Sequence, residues 1–402
     1  MTIEGSRLTA PEVVLQDAAL ADGRGPRLAQ RVSVLVRDGR IAGLWQGEPD
    51  LAGLRDVVAI DASGATLVPG LVDMHGHVAL SGGARHRDRL TDDTETMLRV
   101  AEENGTAAFA SGVRWIRDLG SSMRTVDGAA PAPLAVTLRD RWRARADRPV
   151  VVAGSTWITC PGYLGDGVGI DAPDGGALPA LALAQLETGA DFVKLYLEGP
   201  TPEACPWTVE EVARAVKAVH AEGRKVAVHA VSHAAAQVAA AAGVDTLDHG
   251  FELDDEIART MAGNGVALVT TLSALRAFCD YGTLAPWTRH GPLLEERREQ
   301  LRVAGESVGV ALAAGVTVVA GSDQGGGSVR AGHLALELEL LVQAGMSPVD
   351  ALAAVTWRAG EVLGIPAAGR IEVGEPATFL LVHGNPLEDP SALWRVWLRA
   401  GA

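Results

Sequence analysis

From residue 66 to about residue 365 the chain repeats one pattern, an apolar run of strand length followed by a stretch with helical signals. The runs are Thr66–Asp73, Gly112–Asp118, Pro149–Gly154, Ala190–Leu197, Lys225–Ala230, Val244–His249, Val266–Thr271 and Val316–Ser322. Runs apolar on both faces suit buried parallel strands, and parallel strands need crossover connections. The connections carry helix punctuation. Thr208 with Glu211 makes a capping box for a helix over 208–222 that stops at Gly223, Ser232 and Gly243 bracket the next helix, and Ser347-Pro348 opens the last long one. Eight strand–helix units predict an α/β fold of the (β/α)8 TIM-barrel class, where a doubly wound sheet usually has fewer units.

The two ends read differently. Val32–Val36 and Arg40–Trp45 flank Asp38-Gly39, a hairpin dipeptide, and Arg370–Val373 and Thr378–Val382 flank Gly374 and Pro376. Neither end can bury a core alone, so the expectation is a small β-sandwich formed by both termini. Its first part would be 1–65 and its second 366–402, around a barrel over 66–365. A length of 402 residues suits one large domain plus a smaller one.

Acidic residues outnumber basic ones 50 to 35, a net charge of −15 that disfavours a nucleic-acid partner. No apolar run approaches the ~18 residues of a membrane span, and the alanine-rich stretch over 234–242 reads as a packing helix. The N-terminus lacks a basic region followed by an apolar one. Cys160, Cys205 and Cys279 are widely spaced and fit reduced thiols. The expectation is a cytoplasmic protein with a small-molecule substrate and no membrane partner.

The chemistry gathers at strand ends. Leu67-Val-Pro-Gly-Leu-Val-Asp-Met-His75-Gly-His77 runs a buried strand into two histidines at i, i+2, a spacing that points both imidazoles to one face of a strand. They could share one metal ion, or be a chance polar pair. His229, His249 and Asp323 end three further runs, and the C-terminal ends of barrel strands are where catalytic groups collect. One such histidine is ordinary core; four with an aspartate at matching ends point to a metal site. Lys194 sits inside the apolar Asp191–Leu197 run, in a chain whose only other lysines are Lys217 and Lys225. A bare buried cation is costly. Lys194 is therefore either paired with a carboxylate, or extended to the rim, or converted by CO2 to a carbamate whose two oxygens bridge two metals.

The ordered set of His-x-His, Lys, His, His and Asp resembles the amidohydrolase superfamily. It is more closely similar to the imidazolonepropionase-related hydrolases that include Xaa-Pro and Xaa-Arg dipeptidases and ochratoxin-type amidases. LVPGLVDMHGH, GVRWIRDLG, DFVKLYLEG, VAVHA, GVDTLDHG and VVAGSDQGG carry the resemblance. The resemblance implies that His75, His77 and Asp323 hold one divalent metal and His229 and His249 a second, zinc being the favoured ion. Carboxylated Lys194 would bridge them. Two departures concern the substrate: His229-Ala-Val231 stands where relatives often have His-Ala-His, and Cys160-Pro-Gly-Tyr163 where they often have Gly-Gly-His. An oligomer also follows from the resemblance alone.

Two ions about 3.5–4 Å apart can bring a water's pKa from 15.7 to about 7. The hydroxide so formed would attack a carbonyl carbon, with Asp323 accepting the proton and passing it to the leaving nitrogen. The expected function is a binuclear amidohydrolase that cleaves an amide or peptide-like C–N bond in a dipeptide, an N-acyl amino acid or a cyclic amide. A deaminase or a lactone or phosphotriester hydrolase is the alternative on the same centre, and a non-catalytic scaffold a third. Tyr196, facing the same way as Lys194, and Tyr163, Arg276, Arg330 and Trp287 are candidate substrate contacts. Arg276 or Arg330 would be needed for an anionic substrate. His86, His220, His290 and His383 fit no ligand spacing and are expected at the surface, and His333 follows the Gly325-Gly-Gly327 loop. No P-loop, dinucleotide fingerprint or G-x-S-x-G elbow occurs.

Overall fold

The computed structural model describes residues 3–4, 7–8, 12–52, 57–165, 167–199, 201, 204–288 and 290–400. The outermost residues of the expected terminal ranges, 1–2 and 401–402, lie outside these. All eight apolar runs contain strands: β1 (Leu71–Gly76), β2 (Val113–Asp118), β3 (Val150–Ala153), β4 (Phe192–Tyr196), β5 (Lys225–Ala230), β6 (Thr246–His249), β7 (Ala267–Thr270) and β8 (Val318–Ala320). β1, β2 and β3 pair in parallel, and β4 through β8 pair in parallel in chain order. Single parallel bridges, Gly154 to Phe192 and Gly76 to Gln324, join β3 to β4 and the end of β1 to the segment after β8.

The helices begin where the sequence punctuates. α1 (Thr94–Ala110), α2 (Leu134–Trp142) and α3 (Leu178–Glu187) precede α4 (Val209–Ala221), whose Thr208–Glu211 capping box is formed on both sides. In α5 (His233–Ala242) the Ser232 side chain accepts from the Ala235 N–H, and Gly243 ends the helix at φ 70°. There a side chain would be strained. α6 (Asp255–Asn264), α7 (Leu272–Leu284), α8 (Leu294–Ala313) and α9 (Leu334–Gln343) follow, then α10 (Pro348–Ala354), capped by Ser347, and α11 (Trp357–Leu363). Strand and helix side chains, among them Ile116, Val193, Val228, Leu247 and Leu268, share one large buried cluster. No helix of the described residues is long and apolar enough to cross a membrane.

The strands from both termini join one nine-stranded sheet, in which Phe379–His383 pairs antiparallel with Ala65–Pro69 and Glu12–Leu20 pairs with Ala29–Arg37. This sheet has its own buried cluster, including Leu15, Val34, Leu67, Phe379 and Leu381. The run Thr66–Asp73 is therefore not one barrel strand. It divides at Gly70, whose N–H donates to the Thr378 carbonyl at 2.8 Å and whose missing Cβ leaves room for the Arg114 side chain. The half before Gly70 belongs to the terminal sheet and the half after it is β1.

Candidate metal centre and active-site cavity

Three carboxyl-terminal strand ends and one loop deliver the imidazoles and carboxylate to one place. His75 lies on β1 with His77 just beyond it, His229 on β5, His249 at the end of β6, and Asp323 three residues past β8. Ring centroids lie 5.4 Å apart for His75–His77, 4.7 Å for His75–His249 and 4.4 Å for His229–His249. The Nε2 atoms of His75 and His77 each stand 3.6 Å from the same oxygen, Asp323 Oδ1. That is too long for a good hydrogen bond and close to the spacing of two donors that each sit about 2.0–2.2 Å from one ion. Among the described residues His75, His77 and Asp323 form the group able to hold a metal.

The backbone is bent to serve this convergence. His249 and Asp323 occupy the left-handed region at φ 79° and 54°, a conformation costing about 1–2 kcal/mol for a side-chain-bearing residue. The Asp323 N–H donates to the His75 carbonyl at 2.7 Å, locking the last strand's exit to the first. Gly326 passes so close that a Cβ there would come within 2.6 Å of Asp323 Oδ1 and against the His77 ring.

Partners outside the cluster fix which nitrogen points in. His77 Nδ1 donates to the Gly120 carbonyl at 2.9 Å, leaving Nε2 toward Asp323. His249 Nδ1 lies 2.7 Å from the Thr271 hydroxyl, while its Nε2 is buried without a hydrogen-bond partner, as is His75 Nδ1. A buried polar atom left unpaired costs about 1–3 kcal/mol, so the unpaired Nε2 of His249 fits metal ligation, while His75 Nδ1 stands 3.6 Å from Asp248 Oδ2. Burial is the main cause that lowers the histidine pKa values, His77 to about 4 and His249 to about 3, so the rings are neutral donors. Burial also raises the Asp323 carboxyl to about 8, opposed chiefly by the positive charge of Lys194.

Lys194 is fully buried, and its Nζ donates to Asp248 Oδ2 at 2.5 Å. Asp248 is also fully buried, and its other oxygen accepts from Arg117 Nη2 at 2.7 Å. The paired-carboxylate alternative for Lys194 is thus what this structure contains. Burial lowers the Lys194 pKa although Asp248 pulls the other way. Asp248 stands directly before His249, and Arg117 lies in the GVRWIRDLG segment. Neither is among the residues the sequence singles out; the buried position of Asp248 directly before the candidate ligand His249 is the signal that could find it.

A cavity of about 380 Å³ opens over the cluster, with His77, His229, His249 and Asp323 at its floor. Both tyrosines expected as substrate contacts line it. Tyr196 stacks on His229 at 4.3 Å and 11°, and Tyr163 lies 6.1 Å from Tyr196. Burial raises both hydroxyl pKa values, that of Tyr163 to about 12, so both stay protonated donors.

The expected arginines are not there. Arg276 is on α7 rather than in a loop and pairs along the helix with Asp280 at 3.0 Å. Arg330 is exposed, its Nε 3.4 Å from the Tyr281 hydroxyl. Trp287 is 82% exposed, and His333 turns to the Arg330 carbonyl and the Trp394 ring. None of these four lines the cavity. Arg87, in the helical turn His86–Arg89, and Arg297, on α8, line it instead. His86 and His290, expected at the surface, are 5% and 2% exposed. Their rings stack at 6.2 Å, with Phe278 edge-on to both, and His290 Nε2 donates to the Ala84 carbonyl. They tie the segment after β1 to the α7–α8 connection, a tertiary contact no local spacing encodes.

The amidohydrolase family matches residues 66–399. The chain belongs to this family. It is 27% identical over 393 residues to an imidazolonepropionase of Deinococcus deserti, covering 89% of this chain and 86% of that one. It is 28% identical over 256 residues to ochratoxinase of Aspergillus niger, covering 59% of this chain and 51% of that one. A crystal structure of a Xaa-Pro dipeptidase with bound methionine in its active site superposes with a TM-score of 0.82 at 24% identity, covering 96% and 97% of the two chains. These relatives support an enzyme of hydrolase type, and the TIM-barrel fold of the family agrees with the eight parallel strands.

Proposed function

We propose that this amidohydrolase cleaves an amide or peptide-like C–N bond of a small molecule at a centre of two divalent ions, zinc being the favoured metal. The observation that carries the proposal is the pair of imidazole nitrogens, His75 Nε2 and His77 Nε2, each 3.6 Å from one oxygen of Asp323, in a cluster where His249 Nε2 is buried and unpartnered. His75, His77 and Asp323 would hold one ion and His229 and His249 the other, and the parallel strands would close as a barrel flanked by the terminal sheet. When bound, the ions would acidify a water and polarise the scissile carbonyl.

The remaining work falls to the chain's own side chains. Asp323 takes a proton from the attacking water and returns it to the amide nitrogen, which leaves poorly unless protonated. Burial raises this carboxyl in the metal-free chain, and a bound cation would favour the ionised form that accepts the proton. The Tyr196 hydroxyl, on a ring stacked against His229, would donate to the substrate. Lys194 would become a bridging carbamate: its neutral amine adds CO2, an N–C bond forms and one proton is released. Burial favours that neutral amine, and Asp248 must first give up its hydrogen bond. The amidohydrolase family and the imidazolonepropionase, ochratoxinase and Xaa-Pro dipeptidase relatives support hydrolysis of amide C–N bonds.

Xaa-Pro, Xaa-Arg, N-acyl amino acid and lactam substrates should be screened for released amine before and after chelation. Amine release lost on chelation and restored by zinc is the expected result. Ammonia release would indicate deamination, and activity indifferent to chelation would overturn the proposal.

A further inference from the structure

A second cavity, of about 470 Å³, opens at the opposite ends of the strands. It lies where β3, β4 and β5 begin, at Val150, at Asp191 with Phe192, and at Arg224 with Lys225, and the segment Val362–Ile365 at the end of α11 covers it. None of the residues lining it is a candidate metal ligand, and none lines the cavity over the metal cluster. Its occupancy is therefore a separate question from amide hydrolysis. In a chain of net charge −15 with only three lysines, Arg117, Arg139, Arg224 and Lys225 meet on its wall.

The wall's charges do not cancel. Arg139 is neutralised by Asp191, whose Oδ1 stands 2.9 Å from Arg139 Nη1 while Oδ2 accepts from the Ala153 N–H. The other three cations keep donors to spare. Arg117 is 6% exposed, and its hydrogen bonds to the Met74 carbonyl, the Thr246 hydroxyl and Asp248 use three N–H groups of the five in a guanidinium. Lys225 Nζ donates to the Val362 carbonyl at 2.6 Å, one hydrogen bond of the three an ammonium can make. Burial lowers the Lys225 pKa against the pull of Asp245, and an anion beside it would favour the charged form further. Arg224, exposed at the mouth, makes no side-chain hydrogen bond or ion pair to a described residue. Between these cations the wall is apolar. Phe192 lies with its ring centre 5.5 Å from the Arg117 guanidinium, Val362 and Ile365 are alongside, and Val150 is left 54% exposed.

We infer that this cavity is a second ligand site, which takes a small organic oxyanion: a charged head between Arg224, Lys225 and Arg117, and an apolar body against Phe192 and the Val362–Ile365 segment. Guanidinium and ammonium groups hold oxyanions through charge-assisted hydrogen bonds. The apolar body removes Val150 and its neighbours from water. A neutral apolar ligand would strip solvent from the cations and give nothing in return. Arg117 also holds Asp248, the partner of Lys194, so one buried chain of charges runs from this cavity toward the candidate metal centre. The test therefore leaves Arg117 intact and alters the cations at the mouth.

Benzenesulfonate is the probe, because a sulfonate is a weak ligand for zinc and discriminates against binding at the metal cluster. Methanesulfonate lacks its ring, and methyl phenyl sulfone lacks its charge. Calorimetry on the zinc-loaded full chain should show benzenesulfonate binding at least about tenfold tighter than either. Arg224→Gln should weaken it about threefold, and Arg224→Gln with Lys225→Gln about tenfold, with the sulfone changed less than about twofold. Arg224→Glu, a reversal at an exposed position that leaves folding intact, should abolish the preference for the anion. Benzenesulfonate bound no tighter than the sulfone would overturn the inference. So would an affinity for benzenesulfonate that all these variants share with the wild type, since the anion would then sit elsewhere.

Discussion

The floor of the cavity and its rim are built by different rules. At the floor, the candidate ligands stand at or just past the ends of parallel strands, and His75 and Asp323, 248 positions apart, come within 3.6 Å. At the rim, Arg87 rides on a short helical turn and Arg297 on the face of α8, each placed by contacts between segments distant in sequence. The groups that would hold metal sit at strand ends of the sheet, and the charges nearest solvent sit on elements that can change without disturbing them.

The contrast fails if damage at the floor is mild. Asp323→Asn should lower kcat by about 10²–10⁴-fold with the fold retained, as judged by circular dichroism; a rate within tenfold of wild type would remove Asp323 as the proton carrier. Lys194→Ala removes one partner of a buried pair and should cost about 3 kcal/mol in unfolding free energy, softened by Arg117, which still faces Asp248. The same variant should lose one ion and about 10²-fold or more in kcat/KM. Full activity in it would end the carbamate role. Gly326→Ala pushes a methyl against His77 and Asp323, so zinc affinity should fall about 10–100-fold in competition with a chelating dye while the melting temperature of the metal-free protein barely moves. At the exposed positions, Arg276→Gln and Arg330→Gln should leave kcat/KM within about twofold for anionic and neutral substrates alike. A selective loss for the anionic one would return these arginines to the site.

The same contrast explains what could be read from the chain before its structure. The i, i+2 spacing of His75 and His77 determines a shared face once the strand is recognised, and Thr208, Ser232 and Ser347 cap the helices their local chemistry specifies. Gly70 shows where local signals stop: the apolar run on both sides of it is continuous, and only pairing with Phe379–His383, more than three hundred residues away, divides it between two sheets. His86 and His290 look like surface histidines because their burial depends on Phe278 and on each other. Loops after strands carry substrate contacts, which makes Arg276 a candidate from sequence, but Thr271 is followed at once by α7, and Arg276 pairs with Asp280 along it. Arg117 and Asp248 escape local signals because Asp248 pairs with Arg117 on β2 and with Lys194 on β4, strands far off in sequence.

The most direct test is elemental analysis of the purified, actively folded protein and of a His75→Ala, His249→Ala double variant at matched concentration. About two divalent ions per chain in the wild type, and a loss of both metal and amide cleavage in the double variant, is the expected outcome. A wild-type chain that hydrolyses amides with no bound metal, or a double variant that keeps its ions, would contradict the convergence of these strand ends on a metal centre.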